Sequence, residues 1–588
     1  MKLIIRQYLS ALRERGELDA VLPDLLSQLG LNVYSRPARG TRQDGVDVGA
    51  VGSLDGGADK VYLFSIKPGD LTRRGWNGES EQSLRPSLDD ILDAYIPNRL
   101  PAEHRDKDIV ICVTLGGDVQ EQVRPALAGY MTQRTTAQIS FEEWNGDKLA
   151  ALIQSSFLRE DLLPTQARSL LRKSLAMLDE PEVAFRHFAA LICKLSSVEA
   201  LDDAQRVTAT RQMSICLWIL LSWARDTENM EAAYQASELT LLHGWNILRR
   251  HVSSGTKTAR ELEAAFFSIF QAYRLISAEF LGKNVLPYAD KTHAVSSAVQ
   301  GANSVDVNLK LFDLLGRLSM SGIWARWFAS RLKEKIQERD VSGVDAETSV
   351  MAQAHSVFLQ HMEAAKMLIL NNPALRLPAT DDQAIDILLA TLLLAMDSSN
   401  RDFVRNWLAD VLERARFSYQ TYGRYPRALA TYAELIEHPK SGDEEDRKKV
   451  TSASILYPSI ALISALLDDE QTYRKVASMK QDIMAHCTFQ FWYPDAGSEA
   501  HFYVDSDHHG ATLAELNLDG SKEAFLDQVF AECAQMPYFG ELSAVKFGWW
   551  PLVLLACRQH RVPVPLQLFE GLRHVGDGTP TPPRRDAI

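Results

Sequence analysis

Apolar positions Leu3, Ile4, Tyr8, Leu9 and Leu12 recur at helical spacing, Gly16 interrupts them, and Leu18, Val21, Leu22, Leu25, Leu26 and Leu29 resume the period. Residues three and four apart share one face of a helix, so positions 1 to 29 are expected as helix, break, helix. The period then changes. Short β-branched runs at about 31 to 36, 46 to 52 and 61 to 67 predict three strands, the last two joined as a hairpin by the Gly-rich stretch 53 to 60. Residues 68 to 86 are polar and Gly-rich and read as a loop carrying Arg73, Arg74, Trp76 and Asn77. Ser87 ahead of Leu88-Asp89-Asp90-Ile91 reads as a helix cap, with Pro97 and Pro101 ending that helix. The unbroken apolar run 108 to 114 predicts a strand buried on both faces. A helix over 120 to 133, a strand over 137 to 141 and a helix over 146 to 157 complete an α/β unit with a mixed sheet.

Beyond about residue 165 strand signals nearly vanish. Amphipathic segments over 205 to 225, 228 to 251, 259 to 280, 307 to 338, 348 to 370, 383 to 396 and 401 to 422 predict a large all-α region, a bundle or a helical-repeat solenoid. The stretch 425 to 433, Tyr425-Pro426-Arg427-Ala428-Leu429-Ala430-Thr431-Tyr432-Ala433, has the composition of a tetratricopeptide-type helix pair, as does 364 to 373, without a steady period behind either. An exposed connector is expected over 436 to 449, and a tail rich in Pro, Thr and Arg over 576 to 588 is expected to be disordered. Between them lies a helical part dense in aromatics, including Phe489, Phe491, Trp492, Tyr493, Phe502, Tyr503, Trp549 and Trp550. Such clusters serve as core more often than as base-stacking platforms. The domains expected are therefore 1 to 160, 165 to 435 and 450 to 573, with a boundary near 155 to 170 where Arg159-Glu160-Asp161 and Pro164 break the pattern.

Composition narrows the function classes. A chain of 588 residues exceeds what one core sustains, and 46% hydrophobic with 24% charged residues is the balance of a globular protein. A net charge of -13 argues against nonspecific nucleic-acid binding by the whole surface and leaves a local basic site open. Arg36, Arg39, Arg42, Lys67, Arg73 and Arg74 are close enough in sequence to make one, although Asp55, Asp59 and Asp70 interleave with them as on a plain solvated surface. The six cysteines contain no C-x-x-C pair and mostly lie in apolar runs, as buried thiols do in a reducing compartment. No secretory signal opens the chain, and the longest apolar runs fall short of the roughly 20 residues needed to span a bilayer. A cytoplasmic protein without membrane association is expected.

The candidate chemistry sits in the hairpin. Its first strand follows Gln43-Asp44-Gly45-Val46-Asp47 and its second ends Ser65-Ile66-Lys67, bringing a carboxylate and an ammonium to neighbouring positions. A hard, oxygen-liganded cation needs a carboxylate to hold it. A nearby ammonium orients attacking water and offsets charge growing on phosphorus. The pair is thus the minimum for metal-assisted phosphodiester hydrolysis.

The order helix, Gly turn, Asp strand, x-x-Lys strand, helix, strand resembles the restriction-endonuclease-like PD-(D/E)xK fold, particularly its Mrr-like branch. Residues 18 to 30 resemble the family's first helix, Asp44-Gly45-Val46-Asp47 its Gly-x-Asp element, Ser65-Ile66-Lys67 its acid-x-Lys strand, 108 to 114 its next strand, and 139 to 149 its closing strand and helix start. The resemblance covers about the first quarter of the chain. It implies a nuclease using Mg2+ or Mn2+, with Asp47 as the principal metal ligand, Lys67 as the water-orienting group and Asp19 or Glu17 as an accessory acid. Ser65 departs from the pattern, standing where the family places a carboxylate or amide. The backbone carbonyl of Ile66, Asp44 or the helix acid is then expected to complete the metal shell. The partner implied is nucleic acid, DNA in the first instance, with Arg36, Arg39, Arg42, Arg73 and Arg74 along its backbone. The helical region is left to sense a trigger, recognise substrate, or bind a partner subunit or a second copy. The competing expectation is a decayed nuclease-like domain that binds nucleic acid or scaffolds a complex.

Two other features carry ligand-capable residues or a loop shape of interest. His501, Asp505 and His509 at spacing four suit one face of a helix and a zinc or manganese ion, against a plain capped turn before a helix from Ala511. Gly116-Gly117-Asp118 follows a strand, as a phosphate cradle does, but lacks the Lys-Ser/Thr of a phosphate loop and reads as a shortened turn.

Overall fold

The structure is a computed structural model that describes residues 5–6, 9–10, 12, 14, 18–36, 43–54, 56–78, 83–156, 165–197, 201–299, 301–338, 344–428, 430–437, 443–508 and 510–574. The chain forms two compact units, Met1–Ile276 and Ser277–Ile588. The interval 155 to 170 expected as a boundary lies inside the first, with 157 to 164 outside the described residues. The tail 576 to 588 is likewise outside them.

The first unit opens on the helix Asp19–Gln28 and a five-stranded mixed sheet in the order β1 (Asn32–Ser35), β2 (Val48–Gly52), β3 (Lys60–Lys67), β4 (Ile109–Leu115), β5 (Ile139–Trp144). The expected hairpin is β2 and β3, antiparallel with Val48 opposite Phe64 and Gly52 opposite Lys60. β4 and β5 then add parallel to β3. Parallel neighbours need crossovers, and these are helical: Leu84–Asp90 with its continuation to Asn98 before β4, and Arg124–Arg134 before β5. The crossovers cover one face of the sheet, where Val51, Val61, Leu63, Ile111 and Val113 pack against Trp76, Leu84, Leu88, Ile91 and Tyr130. Helices Asp19–Gln28 and Gly146–Ser156 flank the domain on the other side, where the Phe64 ring meets the edge of Trp144 at 5.1 Å. β4 is buried at every position, as a strand covered on both faces must be.

Two local expectations are corrected. Ser83, not Ser87, precedes the crossover helix. Ser87 lies inside it, sending both its N–H and its hydroxyl to the Ser83 carbonyl at 3.3 and 3.0 Å. Pro86 sits in the first turn of this helix, where an absent N–H costs nothing. Within 68 to 86, Thr72 caps a short helix, Arg73–Asn77, by accepting the Gly75 N–H at 3.1 Å, and Trp76 anchors it in the core.

The remainder of the first unit is helical: Thr165–Ala176, Pro181–Leu195, Asp203–Asp226, Glu231–Leu248 and Lys257–Asn284 up to Ile276. Glu231–Leu248 is buried almost all round, which makes it the centre of this layer. The helix Asp19–Gln28 joins sheet to helices through polar contacts. The Gln28 Oε1 accepts from Arg211 at 3.0 Å, and Arg211, only 4% exposed, also faces Glu261 at 3.7 Å. Burial pushes the Asp24 carboxyl up to about 6, with Arg36, Arg211 and Ser268 pulling it back. A native carboxyl that keeps its proton longer than the unfolded one loses stability as pH rises from about 4 to about 6. Asp24→Asn, which does not titrate, is therefore expected to gain about 2 kcal/mol relative to wild type between about pH 4.5 and 7 in denaturant unfolding. An unchanged difference at the two pH values would contradict this.

The second unit is helical, led by the long helices Ser304–Glu338 and Val344–Asn371 and by Ala384–Ala395, which is buried at every residue. Two small sheets were not foreseen: β6 (Ala453–Ser454) with β7 (Thr488–Phe489), and β8 (Phe491–Tyr493) with β9 (Ala511–Leu513). The expected helix from Ala511 is therefore a strand, and the next helix is Lys522–Gln535. The stretch from Tyr425 to Ala428 is not helical. It lies extended, with Arg427 bridged to Thr380. Part of the connector 436 to 449 is the helix Glu444–Val450, capped by Asp443 and carrying acids in its first turn and bases in its last, as the helix dipole favours. Phe489, Phe491, Tyr493, Phe502 and Tyr503 are all buried, so these aromatics serve as core. No helix among the described residues is long and apolar enough to cross a membrane.

Candidate active site at the end of the sheet

Asp44 and Gly45 both take positive φ, 45° and 81°, and the Val46 N–H closes the turn on the Gln43 carbonyl at 3.2 Å. Asp-Gly is the pair that such a turn selects. A Cβ at Gly45 would lie 2.0 Å from the Ser87 carbonyl oxygen, so the turn is pressed against the crossover helix. Gly45→Ala is expected to cost about 2–4 kcal/mol, combining backbone strain with a clash against a rigid carbonyl. Denaturant unfolding with a shift under about 1 kcal/mol would show that the helix gives way easily.

The turn delivers Asp47 to the first position before β2. Its N–H donates to the Phe64 carbonyl at 2.8 Å, and its Oδ2 accepts the Ile66 N–H at 2.7 Å. Continuing the register from Val48 opposite Phe64 sets Asp47 opposite Ser65. Strand alternation then puts Asp47, Ser65 and Lys67 on one face, at the end of the sheet where β3 and β4 finish. Lys67 closes β3, with its side chain 12% exposed and its Nζ 3.9 Å from the Glu14 carboxylate.

Glu14, which the sequence does not single out, is the acid that faces Lys67. The resemblance implies Asp19 or Glu17 for the accessory acid, as acids of the first helix. Glu17 lies outside the described residues, and Asp19 begins the helix Asp19–Gln28. Glu14 sits in a helical turn ahead of that helix. Its signal was the helical period of 1 to 12 carried on past Leu12.

Ser65 is fully buried, and its Oγ makes no hydrogen bond among the described residues. A shielded hydroxyl without a partner opposite a carboxylate is an uncommon arrangement. Asp44 is committed to Arg99, whose Nε lies 2.7 Å from its Oδ2, so it braces the turn. Arg36 is exposed and lies within electrostatic range of Asp24, while Arg39 and Arg42 fall outside the described residues. Arg73 and Arg74 are exposed on the short helix that begins six residues after Lys67.

The turn after β4 is not a phosphate cradle. The Gly117 N–H goes to the Gly69 carbonyl at 2.8 Å, and the Asp118 N–H goes to the Asp70 carboxylate at 2.8 Å. A Cβ at Gly116 would lie 2.4 Å from the Leu9 carbonyl, and one at Gly117 2.2 Å from Asp70 Oδ1. These glycines permit close backbone packing, as the shortened-turn reading required. Asp118 is held in turn by Arg124 at 3.1 Å.

The sheet end thus brings together the Asp47 carboxylate, the Ser65 hydroxyl and the Lys67 ammonium, with Glu14 facing Lys67. No family model matches the chain, and no curated protein or solved structure matches it.

Proposed function

We propose that the N-terminal α/β domain is a restriction-endonuclease-like nuclease domain of the PD-(D/E)xK type, hydrolysing phosphodiesters, DNA first among them, with Mg2+ or Mn2+. The observation that carries this reading is the pairing of Asp47 and Lys67 on one face of adjacent strands, with the Lys67 ammonium only 3.9 Å from Glu14. A strand end with a purely structural role has little reason to carry both charges half-sheltered from water.

Asp47, the Ile66 carbonyl and Glu14 are the residues that would hold the cation, with Ser65 contributing through its hydroxyl. Bound there, the cation supplies Lewis acidity and lowers the pKa of a coordinated water. The Ile66 N–H fixes one Asp47 oxygen and so sets the carboxylate's orientation. Lys67 holds the attacking water by hydrogen bonding and offsets the charge that grows on the phosphoryl oxygens. Before substrate arrives, Glu14 balances Lys67, and the long 3.9 Å contact is one that a phosphate can displace. Arg73 and Arg74 lie on the chain just beyond β3 and are suited to backbone phosphates. The helical remainder would sense, recognise substrate or assemble the protein, within restriction or anti-phage defence. That role follows from analogy with the fold alone.

The test is a substrate panel. Supercoiled plasmid, linear duplex, single-stranded DNA and RNA are incubated with Mg2+, with Mn2+ and with chelator. Cation-dependent cleavage of at least one substrate is expected, and complete inertness of the folded, cation-saturated protein would reject the reading. The second reading, a decayed nuclease-like domain that binds nucleic acid or scaffolds a complex, is favoured by one observation: a fully buried hydroxyl stands where the resemblance expects an acid. It predicts cation-independent nucleic-acid binding without turnover.

A further inference from the structure

Among the described residues of the second unit, the short helix Ser498–His501 ends at His501 and the chain turns. The helical face expected for His501, Asp505 and His509 therefore does not form, and His509 lies outside the described residues. The reason is local. Asp505 accepts the Asp507 N–H at 2.9 Å, a side-chain turn that competes with helix continuation. That turn brings a different trio together. His501, Asp505 and Asp507 each offer a ligand atom, and these atoms all lie within 4.8 Å of one another.

The surroundings are built rather than loose. His501 Nδ1 donates to Asp505 Oδ1 at 2.9 Å. His508 packs beside His501, with ring centroids 6.0 Å apart, and is anchored through Nε2 to Asp495 at 2.7 Å. Asp495 is itself fixed by the N–H groups of Gly497 at 2.9 Å and Ser498 at 3.2 Å. From the end of the helix Pro551–His560, His560 comes within electrostatic range of Asp505, and its Nε2 is shielded from solvent without a hydrogen-bond partner among the described residues.

We propose that His501, Asp505 and Asp507 bind a divalent transition cation of the Zn2+ or Mn2+ class, independently of the sheet-end site. One imidazole and two carboxylates form a mixed nitrogen and oxygen set, which favours such ions over Mg2+ or Ca2+. The cation replaces the hydrogen bond between His501 and Asp505, the imidazole then carrying its proton on Nε2, and the His508 and Asp495 pair forms the wall that holds the loop. The ion ties the turn after Ser498–His501 into one piece.

The experiment is Co2+ and Zn2+ titration of the full chain, followed by visible absorption and calorimetry, on wild type, His501→Ala, Asp507→Ser and Asp47→Ala. Asp507 is exposed, so its replacement leaves folding intact and keeps the test valid if His501→Ala unfolds. One equivalent is expected to be retained in Asp47→Ala. Its affinity is expected to fall more than about tenfold in Asp507→Ser, since even groups behind a metal ligand cost that much. Binding unaffected by Asp507→Ser, or wholly removed by Asp47→Ala, would overturn the assignment.

Discussion

Asp47→Asn is expected to lower cation-dependent phosphodiester cleavage by about 10^3-fold, corresponding to about 4 kcal/mol of transition-state stabilisation. The substitution is chosen because it isolates charge from structure. Asparagine keeps the carbonyl-type oxygen that accepts the Ile66 N–H at 2.7 Å, and the backbone bond from residue 47 to Phe64 is untouched. The turn behind it, with Gly45 pressed on Ser87, also remains. What disappears is the negative charge a hard cation requires. Unfolding curves should therefore overlay those of wild type while the rate collapses. A rate within about tenfold of wild type would remove Asp47 from the metal shell.

Arg317→Ala is expected to destabilise the second unit by about 3–5 kcal/mol. Arg317 is 1% exposed and grips Asp313 with two contacts, Nε to Oδ1 at 3.1 Å and Nη2 to Oδ2 at 2.8 Å, while its guanidinium lies 4.9 Å from the centre of the Phe280 ring. Truncation removes the fork and the ring contact and leaves a cavity. Lysine cannot restore a two-pronged geometry, so Arg317→Lys should recover only part of the loss. Burial alone would push the Asp313 carboxyl up, but Arg317, Lys310 and Arg558 together hold it well below the usual carboxylate range. That stabilisation is present above the ordinary carboxylate range and is lost as pH falls through it and below. Denaturant unfolding should show the second unit's midpoint falling in Arg317→Ala, and a change below about 1 kcal/mol would mean that Lys310 and Arg558 suffice.

The sequence was most informative where one physical rule dominated. The β2 and β3 hairpin follows from alternating β-branched residues around a Gly-rich turn, and its register carries Asp47 and Lys67 to one place without further assumption. β4 was legible as a strand buried on both faces, and the long helices of both units were legible from period alone. The misses arise where tertiary packing overrules local signals. Ser87 carries the composition of a cap, yet the crossover helix starts at Leu84. Glu14 stands between the helical periods read at 1 to 12 and 18 to 29, and only the fold brings it to Lys67. The short strands β8 and β9 pair over three residues, too few to leave a period, so the stretch after His501 read as a helix cap.

The most direct test of the sheet-end site is single-turnover cleavage of the preferred nucleic acid with Mn2+, comparing wild type, Asp47→Asn and Lys67→Ala at matched folded concentration. Cleavage by wild type is expected, with a loss of about 10^3-fold in Asp47→Asn and about 10^2- to 10^3-fold in Lys67→Ala and nucleic-acid binding retained in all three. Equal cleavage by all three proteins would contradict it, since the chemistry would then lie elsewhere in the chain.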